Sequence, residues 1–209
     1  DLTHTAFVAE QTIEFIRRHR DRPFFCIAGF YSPHSPWVAP QEFLDLYDPS
    51  RLSVPAYPPE LEARRSEDRF CDAELRSVRQ GYYAMVSEVD RHVGRILATL
   101  DECRLAESTI VVFTSDHGEY LGEHLRYGKS GPEDASSRVP MIVRWPGGLT
   151  ETGRTVPDLV EAVDLVPTLL EWAGIPLPPH LQGRAIASDG RTGRTSALIE
   201  GQGWKALRT

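Results

Sequence analysis

The sequence predicts an α/β domain built on a largely parallel sheet, and three observations carry that expectation. Short continuous apolar runs alternate with longer stretches of helical periodicity, glycine and proline punctuate the boundaries, and no repeat or low-complexity tract interrupts the alternation. With 209 residues, 41% of them apolar and 25% charged, the chain has material for one domain with a real core or for most of a larger one.

Over residues 5–20, Val8, Ala9, Ile13 and Ile16 recur at helical spacing before Arg17-Arg18-His19-Arg20, a basic end suited to the negative pole of a helix. Asp21-Arg22-Pro23 breaks that helix, and the unbroken apolar run Phe24-Phe25-Cys26-Ile27-Ala28-Gly29-Phe30 is expected as a strand buried on both faces. Residues 31–59 are dense in proline and read as a long loop with one short helix over 42–47; loops of that length in compact domains are commonly functional or disordered. Leu75, Val78, Tyr82, Val86, Val89, Val93, Ile96 and Leu100 then step by three and four, which predicts a long helix with one buried stripe. Asp90 and His92 ride on it, and a lone histidine beside a valine stripe reads as a surface or flank residue, so neither is taken as a ligand. Residues 109–114 and 140–145 are expected as two more buried strands, the second closed by Pro146-Gly147-Gly148. A last helix follows, with Asp164 as N-cap, Pro167 in the first turn, an apolar face of Leu165, Val166, Leu169, Leu170 and Ala173, and a stop at Gly174 and Pro176.

A formal charge of −7 argues against nucleic-acid binding, which needs clustered Lys and Arg to neutralise phosphates. No apolar run reaches the roughly 18–20 residues a membrane helix needs, and Asp1 opens no basic-then-apolar leader. The compartment stays open. Cys26, Cys71 and Cys103 are far apart and form no C-x-x-C pair, so the expectation is isolated core thiols rather than a zinc knuckle or a disulfide framework.

Residues that carry chemistry gather just beyond strand ends, where open α/β sheets place their sites. The strand ending at Thr114 runs into Ser115-Asp116-His117-Gly118-Glu119. Neighbouring strand residues point to opposite faces, so Asp116 and His117 share a metal only if the chain turns there, which Gly118 permits. Carboxylate with imidazole suits several divalent ions, but two ligands make no site, and by itself such a pair is more often a capping Asp with a bystander His. Lys129, within Tyr127-Gly128-Lys129-Ser130-Gly131, has glycines that let the backbone approach a ligand and an ammonium that suits an anionic oxygen, or it is a solvated loop lysine. His34, in Ser32-Pro33-His34-Ser35-Pro36 after the first apolar run, is either a stiffly held donor to an anion or leaving group, or a structural loop residue.

The order of these pieces resembles the sulfatase family: the segment around Ser32-Pro33-His34-Ser35-Pro36, then Thr114-Ser115-Asp116-His117-Gly118-Glu119, then Gly128-Lys129, then Ser137-Arg138-Val139-Pro140. Tyr120-Leu121-Gly122-Glu123-His124, Val86-Ser87-Glu88-Val89-Asp90 and Asp164-Leu165-Val166-Pro167-Thr168-Leu169-Leu170 are similar to sulfatase segments too, so the resemblance covers nearly the whole chain. It implies an alkaline-phosphatase-like fold, a mixed, largely parallel sheet with helices on both faces, here incomplete at the amino terminus. It implies that Asp116 and His117 occupy metal-ligand positions and that His34 and Lys129 contact the sulfate or the leaving group. Calcium is the ion the family implies. The Asp-His form, similar to iduronate-type and choline-type sulfatases and to phosphonate monoester hydrolases, admits manganese, magnesium or zinc as well.

Two family features are not in these residues: the amino-terminal Asp-Asp metal pair, and the C-x-P-S-R motif whose Cys or Ser becomes the formylglycine nucleophile. Cys26, Cys71 and Cys103 each lack that context, and the stretch from Gln202 to Thr209 resembles a sulfatase strand that continues further. The expectation is therefore a catalytic-domain fragment over residues 1–209, its formylglycine-bearing part and tail absent, inactive alone. The implied reaction of the complete enzyme is metal-dependent hydrolysis of a small-molecule or carbohydrate sulfate ester. Three alternatives stand beside it: a phosphonate or phosphodiester hydrolase on the same scaffold, a two-metal phosphatase-like member, for which the seven scattered histidines are too few, and a non-catalytic binding module if the chain is complete.

Overall fold

The computed structural model describes residues 2–65 and 70–209. The chain divides into two compact units, one of Asp1–Thr109 with Tyr120–Tyr127 and the other of Ile110–Glu119 with Gly128–Thr209.

The first unit is helical. Helix α1 (His4–His19) starts at Thr3, whose hydroxyl accepts the Ala6 N–H, and ends in the basic run expected of it. Two single-turn helices, α2 (Gln41–Leu44) and α3 (Pro59–Glu62), punctuate the proline-rich region, and the long helix α4 covers Asp72–Glu102. Helices α1 and α2 both pack on α4. Ala39, Phe43, Ala84 and Met85 form a core cluster flanked by Trp37, Leu44 and Tyr47. Gly81 is needed there, since a Cβ would stand 2.5 Å from the Trp37 carbonyl oxygen. Because α4 is covered from more than one side, its buried face is wider than the expected stripe. It includes Arg79, Glu88 and His92, while Val86 is exposed. His92, at 2% exposure, is thus a core residue and not a flank residue. Its Nδ1 lies 3.1 Å from Arg95 Nη1, and Arg95 in turn pairs with Glu10 of α1.

Residues 24–30 correct the sequence reading more sharply. They run without strand assignment, and among the described residues no segment pairs with them. Phe25 and Ile27 are 70% and 78% exposed, because an apolar run is buried on two faces only when flanking strands and covering helices supply both. The thiols differ as well: Cys26 is exposed, Cys71 and Cys103 are half-buried, and all three are free.

The second unit holds the strands. Strand β1 (Val111–Thr114) pairs antiparallel with β2 (Met141–Arg144), Val112 opposite Val143 and Thr114 opposite Met141. Strand β3 (Ala197–Gly201) pairs antiparallel with β4 (Trp204–Arg208) across a tight turn. The described ladders are therefore antiparallel, where a largely parallel sheet was expected. A parallel neighbour needs a covering crossover helix, and between β1 and β2 the chain forms only short turns and the single-turn helix α5 (Asp134–Ser137). Phe113 and its partner Ile142 keep substantial exposure, so these strands are not buried on both faces.

Helix α6 (Leu165–Trp172) follows a 3-10 turn over Ala162–Asp164. Asp164 stands at its N-cap position without capping it. Instead its carboxylate accepts the Glu161 N–H at 2.9 Å and the Arg184 N–H at 2.7 Å, and it pairs with Arg194, which also pairs with Glu161. Asp164 and Thr168 are fully buried, whereas Val166, expected on the buried face, is exposed. Thr168 Oγ1 accepts the Ile186 N–H, and Trp172 Nε1 donates to the Ile186 carbonyl, so the irregular chain after α6 is held at a few atoms. Among the described residues no helix is long and apolar enough to cross a membrane.

Candidate functional site

Strand β1 delivers Thr114 to the start of the site, where its hydroxyl donates to the Pro140 carbonyl at 3.0 Å. The chain then turns. Ser115 Oγ donates to the His117 carbonyl at 2.9 Å, and the His117 N–H donates back to Asp116 Oδ1 at 3.1 Å. This turn overcomes the strand alternation and brings successive side chains together, with Asp116 Oδ2 3.7 Å from His117 Nε2.

The partners of the imidazole assign its tautomer. Nδ1 lies 2.7 Å from the Gly118 carbonyl, which can only accept, so Nδ1 carries the proton. Nε2 lies 2.7 Å from Lys129 Nζ, which can only donate, so Nε2 presents its lone pair. An ammonium, an imidazole lone pair and a carboxylate thus meet at one point. The Asp116 side chain is 86% exposed and that of His117 27%, leaving the cluster open to an incoming ion.

Lys129 is placed by its backbone. Gly128 and Ser130 both adopt left-handed φ, +82° and +94°. The Gly128 N–H donates to Glu119 Oε1 at 2.5 Å and the Ser130 N–H to Ser136 Oγ at 3.2 Å. Gly118 has no left-handed φ. Its requirement is close approach, since its N–H donates to the Ser136 carbonyl at 2.8 Å and a Cβ would stand 2.0 Å from the Ala135 carbonyl oxygen.

His34 belongs to the first unit. Its N–H donates to the Tyr31 carbonyl at 3.0 Å, and its Nδ1 donates to the Ser35 carbonyl at 2.7 Å, which makes Nε2 the acceptor nitrogen. The Tyr31 ring lies 4.7 Å away, and Ser32 ties the loop to α1 through Thr5 at 2.9 Å. The structure therefore brings Asp116, His117 and Lys129 into one cluster. Glu119 and Ser136 belong to it too, and sequence reasoning missed them. Glu119 lies two residues beyond His117, inside the segment 115–119, a position that could have drawn notice; Ser136 carries no pattern at all.

A divalent ion is a chemical fit for part of this cluster. Carboxylate oxygen and imidazole nitrogen face the same point, and the second-row hydrogen bond from Nδ1 to a carbonyl fixes the ring as metal-binding histidines require. Among the described residues no third His, Cys, Asp or Glu joins them in a metal-holding group, so they fit as two ligands of a larger set.

The family model described as Sulfatase matches residues 2–175. Iduronate 2-sulfatase of Homo sapiens is 35% identical, the match covering 82% of this chain and 40% of that protein. The multifunctional alkaline phosphatase superfamily protein PehA of Trinickia caryophylli is 29% identical over 89% of this chain and 41% of its own length. The solved phosphonate monoester hydrolase of Silicibacter pomeroyi superposes with a TM-score of 0.84 at 29% identity, over 94% of this chain and 44% of that one. The chain spans about two fifths of the length of the curated relatives it matches.

Proposed function

The chain belongs to the sulfatase family of the alkaline phosphatase superfamily, with the hydrolase fold of that superfamily, and from this premise we propose that the intact protein hydrolyses sulfate esters with the help of a divalent metal ion. The observation that carries the proposal is the meeting of Lys129 Nζ with His117 Nε2 at 2.7 Å beside the Asp116 carboxylate. One loop cluster then offers both a cation-binding face and a positive charge, which together suit the oxygens of a tetrahedral anionic sulfate ester.

Asp116 and His117 would hold the ion, calcium first and manganese, magnesium or zinc as alternatives, with the ion taking the His117 Nε2 lone pair in place of the Lys129 ammonium, which would turn to the sulfate; the ion would supply Lewis-acid charge to the sulfate oxygens. A formylglycine nucleophile would come from residues outside this chain. Lys129 would neutralise charge on a non-bridging oxygen as it builds up during transfer, a role suited to a compact ammonium on a defined backbone. His34, with Nδ1–H committed to the Ser35 carbonyl, would present Nε2 to the departing ester oxygen and, once Nε2 has itself taken up a proton, would pass that proton to it. The name of the human relative supports a carbohydrate sulfate as the substrate class.

A second reading is favoured by the superposition on a phosphonate monoester hydrolase, because the same donors serve a phosphorus ester equally well. The deciding experiment compares kcat/KM of the intact protein on 4-nitrophenyl sulfate and on a phenyl phosphonate monoester. Preference for the sulfate supports the proposal, and preference for the phosphonate replaces it with the second reading. Lys129→Ala should lower kcat by about two to three orders of magnitude without lowering the melting temperature. Near wild-type turnover would end the assignment of Lys129.

A further inference from the structure

One buried hydroxyl in the second unit has no part in the chemistry above. Ser136, 5% exposed, lies in α5 and is bonded to both segments that carry the site. Its carbonyl accepts the Gly118 N–H at 2.8 Å, directly after Asp116 and His117, and its Oγ accepts the Ser130 N–H at 3.2 Å, directly after Lys129. A single residue thus sets the distance between the origin of the imidazole and the origin of the ammonium.

The hydroxyl matters more than its one bond suggests. A lysine side chain has four rotatable bonds, so the 2.7 Å contact between Lys129 Nζ and His117 Nε2 persists only if the backbone beneath it is fixed. That backbone is held in a conformation that L-residues resist, since Ser130 stands at φ +94° without being glycine. Such positions persist when their surroundings over-determine them, and the Ser136 Oγ acceptor is the group that captures the Ser130 N–H in that state. On the other side of Lys129, Glu119 Oε1 captures the Gly128 N–H at 2.5 Å. Lys129 is therefore clamped on both flanks, by one carboxylate from the Asp116–His117 segment and by one hydroxyl from α5.

We propose that Ser136 is a positioning residue, which through its hydroxyl on Ser130 and its carbonyl on Gly118 holds the Lys129 ammonium in register with His117. The inference rests on the reading of Lys129 as the group that neutralises charge on the transferring sulfate. Loss of the hydroxyl leaves the Gly118 contact intact, because that bond uses the backbone carbonyl, so the two halves of the clamp are separable by substitution.

The test is a double-mutant cycle in the intact protein, with 4-nitrophenyl sulfate as substrate and the melting temperature of each variant recorded. Ser136→Ala should lower kcat about tenfold with KM changed less than about twofold, the pattern of an interaction made in the transition state. In a Lys129→Ala background the same substitution should change kcat by less than about twofold, because the group it positions has gone. If Ser136→Ala fails to fold, Ser136→Cys takes its place in the cycle, being close in size with a much weaker acceptor. A full additional loss in the Lys129→Ala background would overturn the proposal, as would unchanged kcat in Ser136→Ala beside a large loss in Lys129→Ala. Wild-type activity in Lys129→Ala would overturn the reading of Lys129 itself, and this inference with it.

Discussion

Replacing Gly118 by alanine tests whether the turn after β1 is set by backbone contact with α5. A Cβ there would stand 2.0 Å from the Ala135 carbonyl oxygen, 2.9 Å from its carbon and 3.3 Å from Ser136 Cα, all of them backbone atoms that no rotamer change can move. Opening the shortest contact from 2.0 to 3.0 Å requires about 1 Å of separation between the Asp116–His117 segment and α5. Adding that to the 2.8 Å Gly118–Ser136 hydrogen bond gives about 3.8 Å, beyond bonding range. Overpacking of about 2 kcal/mol and one lost hydrogen bond of about 1 kcal/mol sum to roughly 3 kcal/mol. For a protein of this size that is a fall in melting temperature of about 6–12 °C. A displacement of about 1 Å at Asp116 and His117 should also lower kcat/KM of the intact protein about a hundredfold. The companion substitution Gly94→Ala supplies the opposite sign. Gly94 lies inside α4 with nothing within 4 Å of its notional Cβ, so alanine should stabilise by about 0.5–1 kcal/mol. Scanning calorimetry and steady-state kinetics read both. A Gly118→Ala protein that melts with the wild type and turns over normally would show that this approach of backbones is not a constraint.

Three other side chains, His34, His92 and Asp164, give outcomes that can be measured independently. His34→Ala should impair hydrolysis most for esters with poor leaving groups, and equal losses across a series of aryl sulfates would assign His34 to binding instead. The His92 imidazole is held below its ordinary value of 6.5, first by burial and then by Arg95, against the opposing pull of Glu88 and Glu10. The unfolded chain therefore binds a proton that the folded one refuses, and stability present above about pH 6.5 is lost as pH falls below it; His92→Gln should flatten that decline in the melting temperature, and an unchanged slope would exclude His92 as its source. Asp164→Asn should destabilise by about 3 kcal/mol, because it turns an amide N–H₂ towards backbone donors and removes a buried charge from Arg194; a denaturation midpoint equal to the wild type would refute the role given to this carboxylate.

Helix α4 was legible in the sequence and its buried face was not. Periodicity locates a stripe for one neighbour, whereas α1 and α2 both pack on this helix and draw Arg79, Glu88 and His92 inside. The apolar run over 24–30 was equally visible, but pairing depends on distant chain, and a run of hydrophobic letters does not state what lies beside it. Asp116, His117 and Lys129 each read ambiguously alone; their order suggested a site, and the turn made by Ser115 and Gly118 is what brings the three side chains together. Ser136 and Glu119 stayed hidden because their partners are backbone N–H groups, which every residue except proline has and which leave no trace in composition or spacing.

The irregular chain after α6 has an evolutionary consequence. Its path is set at single atoms, Arg184 and Ile186 held by Asp164 and Thr168, rather than by a ladder that fixes every residue between. The interval from Gly174 to Gly183 can therefore lengthen while its ends stay anchored, since doubling a loop costs only about 0.6 kcal/mol in closure entropy. Asp164 and Thr168 are what such drift must leave alone. Descendants of this chain could exchange one insertion for another there, acquiring new surface loops in steps that each remain foldable.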